Sequence, residues 1–114
     1  MDTRSKIVSA VEAAGIAAAG ATVVSGYFDP LLASHGRRLA GLKRGAKLIV
    51  AIMDPPQPIL PARARAELVA SLSAVVHVVE TSNGIRVDVR LEEEDQQRFE
   101  ELVAHVHARQ RGAS

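Results

Sequence analysis

The sequence predicts an α/β domain: a parallel β-sheet in three layers, with helices on both faces. Three observations carry that expectation. Short apolar runs recur at residues 22–24, 47–54 and 74–79, as strands buried on both faces must. Between them lie segments whose apolar residues return at helical spacing. The resulting order of strand, helix, strand, helix, strand calls for right-handed crossovers, which leave the strands parallel.

Residues 3–19 read as a helix, with Ile7, Val8, Val11 and Ala14 at helical spacing and Gly20 as its stop. Thr22, Val23 and Val24 form a short strand that runs into Gly26. Residues 34–43 are helical again, with Leu39 and Leu42 facing inward and Gly45 closing the segment. "KLIVAIMD" is a strand buried on both faces, beginning at Lys47. Pro55, Pro56 and Pro58 then force an extended loop, because proline cannot donate to a ladder and restricts the residue before it. A helix over 62–72 starts at Pro61, a favoured first-turn residue, and "AVVHVV" is the third buried strand.

Beyond Glu80 the character changes. "TSNG" is a turn, and "IRVDVRL" alternates apolar with charged residues like a half-exposed edge strand. A helix follows over 92–110. Phe99, Leu102, Val103 and Val106 form its apolar stripe. The acids Glu92, Glu93 and Glu94 at its start and Arg109 and Arg111 near its end suit the helix dipole. No internal repeat or low-complexity linker divides the chain, and its 114 residues suit one domain.

Composition narrows the function classes. A 47% hydrophobic, 24% charged chain has the balance of a soluble globular protein. A net charge of +1 gives no electrostatic case for nucleic acid or an anionic membrane. The absence of cysteine excludes a disulfide framework and thiolate metal sites, and suits a reducing cytoplasm. Arg4 and Lys6 ahead of "GIAAAGA" imitate a signal peptide. Glu12 interrupts the apolar stretch, however, and cleavage near Ala19 would leave a chain beginning at a core strand. No segment reaches the ~18 uninterrupted apolar residues of a membrane span. The expectation is a cytoplasmic domain.

In parallel sheets, ligands bind beyond the carboxyl ends of the strands, where the strand order reverses. "SGYFDPLLASH", residues 25–35, lies at such an end. It resembles the G-x-F-D-x-x-H-x-G-H turn of the cytidylyltransferase-like nucleotidyltransferases. The similarity is closest to the adenylyltransferase domain of bacterial heptose-phosphate enzymes, and glycerol-phosphate cytidylyltransferases are also similar. Gly26, Phe28, Asp29 and His35 stand at that motif's glycine, phenylalanine, aspartate and last histidine. "VVSGYFD" resembles the family's "VVxxNGxFD", and "GAKLIVAIMD" its "GDxLIVxxNxD". "PILPARARAELVASLSAVVHVV" resembles "PVNPxxxRxxxLxALxxVDxVV" without a gap, which puts Arg65 on the family's arginine. The resemblance spans roughly residues 3–79, about two-thirds of the chain.

The resemblance implies a Rossmann-like fold of the nucleotidyltransferase type. It implies that Gly26, Tyr27, Phe28, Asp29, Ser34, His35 and Arg65 bind the nucleotide, with His35 catalytic. The substrate would be ATP or CTP with magnesium, its nucleoside monophosphate moving to a sugar phosphate or similar acceptor as pyrophosphate leaves. No metal site on the protein itself is expected. In such transfers, positioning and charge stabilisation carry the catalysis.

The departures matter as much. Leu32 occupies the place of the first histidine and can donate no hydrogen bond. Loss of one such donor typically costs about 10²–10³ in rate. Ser34 replaces the motif's glycine, and in the short loop "MDPPQPILP" Gln57 stands near a family arginine. The family ends in a Ser/Thr-rich motif at a helix N-terminus. Here "TSNGIRVDVRLEEED" follows instead, with Thr81 and Ser82 as turn residues.

The chain thus reads as a family-like core over 1–79 with a divergent strand and helix over 80–114. The leading expectation is a diverged member that binds a nucleotide or phosphorylated small molecule, with weak or no transferase activity. Two alternatives stand beside it: an active transferase completed by another subunit or by substrate, and an interaction module that keeps the fold without the site. A homodimer is expected, since so short a sheet leaves edges and apolar faces to cover.

Several residues have two open roles. His35 either contacts phosphate at a helix start or is a surface histidine beside a cap. Asp29 either caps that helix or holds the turn. Arg65 either reaches a triphosphate or is a solvated helix arginine. Arg37, Arg38, Lys43 and Arg44 form either a solvated basic face or a phosphate-binding one. His77 is expected to be buried and hydrogen-bonded. His105 and His107, two apart on a helix, face different directions and form no metal site. "EEED" reads as a helix-start charge bias.

Overall fold

Four strands form one parallel sheet in the order β3-β2-β1-β4: β1 (Thr22–Gly26), β2 (Leu48–Ile52), β3 (His77–Val79) and β4 (Val89–Arg90). They belong to a computed structural model that describes residues 2–43, 45, 47–97, 100 and 104. β1 and β2 pair from Thr22↔Leu48 to Gly26↔Ile52, and β3 pairs with β2 from Ile49↔His77 to Ala51↔Val79. Strand order reverses beside β1, where the chain leaves β3 at one edge and re-enters as β4 at the other.

Alternation along the strands divides the core. Val23, Ile49, Ala51 and Val79 join one cluster with Ala13 and Ala17 of helix α1 (Ala10–Ala18). Val24, Val50, Ile52 and Val78 join another with Leu39 of α2 (Ala33–Leu42) and Ala66, Val69 and Ala70 of α3 (Ala62–Ala70). Both sides of β1 and β2 are therefore covered by apolar side chains, as their unbroken runs require. The β2 run is shorter than expected: Lys47 is exposed ahead of the strand and does not begin it.

The helix expected over 3–19 is two elements. Thr3–Lys6 is a 3-10 turn capped by the Asp2 carboxylate, and α1 begins after Ser9, whose hydroxyl accepts the Glu12 N–H at 3.2 Å. Between them Ile7 bridges in parallel to Val78, and the Val8 N–H donates to the Val78 carbonyl at 2.8 Å. Ile7 and Val8 pack into opposite core clusters, which is a strand's alternation. Gly20 (φ +112°) and Gly45 (φ +79°) lie just past α1 and α2, in the left-handed conformation that glycine adopts without a Cβ penalty. Pro61 precedes α3 as its cap residue and does not occupy its first turn.

The expected edge strand over "IRVDVRL" contracts to two residues, parallel to β1 through Val24↔Val89 and Ser25↔Arg90. Asp88 ends the ladder instead of extending it. Its N–H donates to the Val23 carbonyl and its carboxylate accepts the Val23 N–H, both at 2.8 Å. Arg86 braces that carboxylate at 2.9 Å and donates to the Ala21 carbonyl at 2.7 Å. Ile85 and Val87 pack into the α1-side cluster. Residues 91–97 are helical, with Leu91 in the core. Phe99, Leu102, Val103, Val106, His105, His107, Arg109 and Arg111 lie outside the described residues, as does Arg44. His77 is half-buried, and its Nδ1 is enclosed without a hydrogen-bond partner, in contrast to the expected bonded histidine. Among the described residues no helix is long and apolar enough to cross a membrane.

The Asp88 carboxyl is held below its ordinary range chiefly by the Val23 N–H; burial opposes this, and the hydrogen bond and charge of Arg86 add to the lowering. A carboxyl depressed in the folded state contributes stability above its unfolded value, near 4, and that stability is lost as pH falls toward the folded value. Asp88→Asn is therefore expected to lower the urea midpoint at pH 7. The difference from wild type should shrink steadily as titration proceeds below about pH 4.

Candidate functional site

The segment after β1 is shaped by a close approach. A Cβ on Gly26 would lie 2.6 Å from the Phe28 ring, so only glycine lets that ring fold back over the strand end. Phe28 itself sits at φ +49°, a conformation uncommon for a bulky residue, and is buried. The following Asp29–Pro30 peptide is cis. Asp29 does not cap α2. Its carboxylate accepts the N–H groups of Ile59 at 2.6 Å and Leu60 at 2.8 Å, tying the turn to the proline-rich loop. The Ile59 N–H is the chief cause holding the Asp29 carboxyl below its usual range. The Leu60 N–H and the charge of Arg65 add to it, while burial opposes them.

Arg65 is neither solvated nor directed outward; it is 1% exposed. Its Nε donates to the Leu60 carbonyl at 3.0 Å. Its Nη1 donates to the carbonyls of Tyr27 at 3.0 Å and Met53 at 2.7 Å, and its Nη2 to Asp54 Oδ1 at 2.7 Å. A guanidinium has five N–H donors in a fixed fork, and here the fork joins the ends of β1 and β2 to the start of α3. Tyr27 contributes its carbonyl to that junction and is otherwise half-buried.

His35, in the first turn of α2, is buried and uses both ring nitrogens. Nδ1 accepts the Leu32 N–H at 3.0 Å, so Nε2 carries the proton and donates it to Asp95 Oδ2 at 2.8 Å. The Phe28 ring meets the imidazole edge to face at 5.3 Å. Leu32 precedes the helix and points its apolar side chain largely into solvent, 53% exposed. Ser34 is half-buried in the same first turn.

Three residues gain a role that their sequence positions did not suggest. Ser25, fully buried within β1, donates to both oxygens of Glu92 at 2.8 Å. Arg38, from the basic face of α2, pairs with Glu94 at 2.8 Å. Asp95 holds His35. The acids read as a helix-start bias are thus engaged with residues around the end of β1, sixty or more positions away for Ser25 and His35. The one sequence signal was a hydroxyl at Ser25 inside an apolar strand, facing a run of acids with no marked partner. Lys43 and Arg37 are exposed.

Chemically, the hydroxyl of Ser25, the Nε2–H of His35 and the guanidinium of Arg38 are donors suited to an anion. In this fold each holds a carboxylate of the same chain. Comparison of the chain with protein-family models and with curated proteins finds no match.

Two substitutions test this architecture. Arg65→Met leaves three inward-facing carbonyls without their donor and is expected to cost about 3 kcal/mol or more in urea unfolding. Gly26→Ala forces the Phe28 ring away and is expected to cost about 1–3 kcal/mol, with a changed chemical environment at His35 visible by NMR.

Proposed function

We propose that the chain is a diverged relative of the cytidylyltransferase-like nucleotidyltransferases, a three-layer Rossmann-like domain with its C-terminal third replaced. Its turn after β1 is a phosphate-binding turn occupied by the chain's own carboxylates. In this reading the protein binds a nucleotide or phosphorylated small molecule weakly, with little or no transferase activity. The observation that carries it is the engagement of Ser25, Arg38 and His35 by Glu92, Glu94 and Asp95 at the point where strand order reverses.

The chemistry follows from the donors. Transfer of a nucleoside monophosphate needs groups that stabilise charge on the α-phosphate. Leu32 has none, the Nε2–H of His35 is directed at Asp95, and the fork of Arg65 is directed at backbone carbonyls. An incoming triphosphate also meets the negative charge of the carboxylates it must displace. Magnesium enters as the counter-ion of ATP or CTP. Among the described residues no three His, Cys, Asp or Glu side chains are grouped to hold a metal themselves.

A second reading, an interaction module that has lost the site, is favoured by the four hydrogen bonds that Arg65 makes within the chain. Calorimetric titration with ATP and CTP, each with magnesium, separates the two. Under the first reading wild type binds at about millimolar Kd. The isosteric, neutral double variant Glu92→Gln/Asp95→Asn then binds at least tenfold more tightly, about 1.4 kcal/mol, and adding His35→Ala abolishes the gain. Absence of binding in both wild type and the double variant removes the nucleotide reading and leaves the interaction module. Release of pyrophosphate with a sugar phosphate would instead reveal an active transferase.

A further inference from the structure

The outer face of α1 carries a feature that the β1 turn does not use. Val11 is 84% exposed, and together with Gly15 and Ala19 it borders an open groove of about 680 Å³. A Cβ on Gly15 would meet nothing within 4 Å, so the space beside this backbone lies outside the chain. The groove is apolar along its length and charged at its two ends. Glu12 lies near the start of the helix, and Lys47 lies beyond its end, where the Lys47 carbonyl accepts the Thr22 N–H at 2.9 Å. Among the described residues neither side chain takes part in an ion pair within the chain.

We propose that this groove is the interface of a homodimer, filled by α1 of a second copy packed antiparallel about a two-fold axis near Gly15. Opposite charges at the two ends select that occupant. An antiparallel copy lays the Glu12 end of each helix against the Lys47 end of the other, so both ion pairs form at once and the contact is self-complementary. A parallel arrangement would place like charges together. Gly15 lets the two backbones approach closely, and Val11 of each copy covers the apolar stretch between the charged ends. One helix pair is a small interface, below the ~1,200 Å² of a standard stable contact, so the dimer forms reversibly and depends on concentration.

Sedimentation of the full chain from about 1 µM to 1 mM, the range over which small interfaces assemble, tests the assignment. Wild type is expected to move from monomer to dimer across that range. Gly15→Arg fills the groove and should leave a monomer at every concentration. Its melting curve should stay at or above wild type's, because the site is open and arginine is the better helix former. Lys47→Glu should weaken association at least tenfold, and Glu12→Lys added to it should restore the wild-type constant within about threefold. Wild type that remains monomeric throughout overturns the proposal. So does a dimer that persists unchanged in Gly15→Arg or in Lys47→Glu. Because nucleotide binding plays no part in the measurement, its outcome is independent of the reading given to the β1 turn.

Discussion

A guanidinium enclosed by protein must have its donors satisfied, and the carboxyl edge of this sheet is arranged around that requirement. Arg65 reaches from α3 to the carbonyls that follow β1 and β2 and to the carbonyl just ahead of its own helix. These three places belong to loops with little other regular hydrogen bonding, and one of them is rich in proline, which has no N–H to offer. Asp29 holds that same loop from the opposite side through two N–H groups. Tyr27 and Asp29 are thus both fixed, and Phe28 is held between them in a conformation it would not choose alone. The orientation of Phe28 in turn sets the wall against which His35 stands. The geometry of the turn therefore descends from the Arg65 guanidinium, with the Asp29 carboxylate holding its other side.

Around that frame, burial of polar groups determines what the crevice contains. A hydroxyl inside a strand and an imidazole in a buried helix turn each need a partner, since leaving either unpaired costs more than a hydrogen bond gains. Water, a bound anion or another part of the chain could serve. In this protein the segment after β4 serves, bringing acids down onto both groups. The same carboxylates have an electrostatic effect: they cancel the positive character that the first turn of α2 and Arg38 would otherwise give to this end of the sheet.

The parts of the fold readable from sequence were those decided locally. The apolar runs around Val23, Val50 and Val78 became strands because burial on both faces leaves no other pattern, and Gly20 and Gly45 marked helix ends through backbone conformation. The break ahead of Ser9 was hidden because Ile7 and Val8 satisfy helical spacing while their pairing with Val78 makes them extended. "IRVDVRL" alternates as a strand should, yet Asp88 spends its carboxylate on the Val23 N–H and only Val89 and Arg90 remain in the ladder. In the sequence Arg65 reads either as a ligand of a triphosphate or as a solvated helix arginine, and neither reading places it inside the protein. Its burial arises from the placement of α3 beneath two strand ends, a fact of topology and not of neighbouring residues. The pairing of His35 with Asp95 was equally out of reach, since nothing near either residue names the other.

The brevity of β4 has a consequence for how the molecule comes apart. Five residues join β1 to β2, but only two join β1 to β4, and the contacts of β4 span sequence separations of about sixty-five. Cooperative units with few ladder bonds open at lower free energy than the global transition. The segment from Asp88 through the first turns that follow is such a unit, while β3, β2 and β1 remain a continuous sheet without it. Native-state amide exchange would thus divide the chain into a slow core and a faster closing flap. The latch between them is made of the hydrogen bonds from Ser25 and His35.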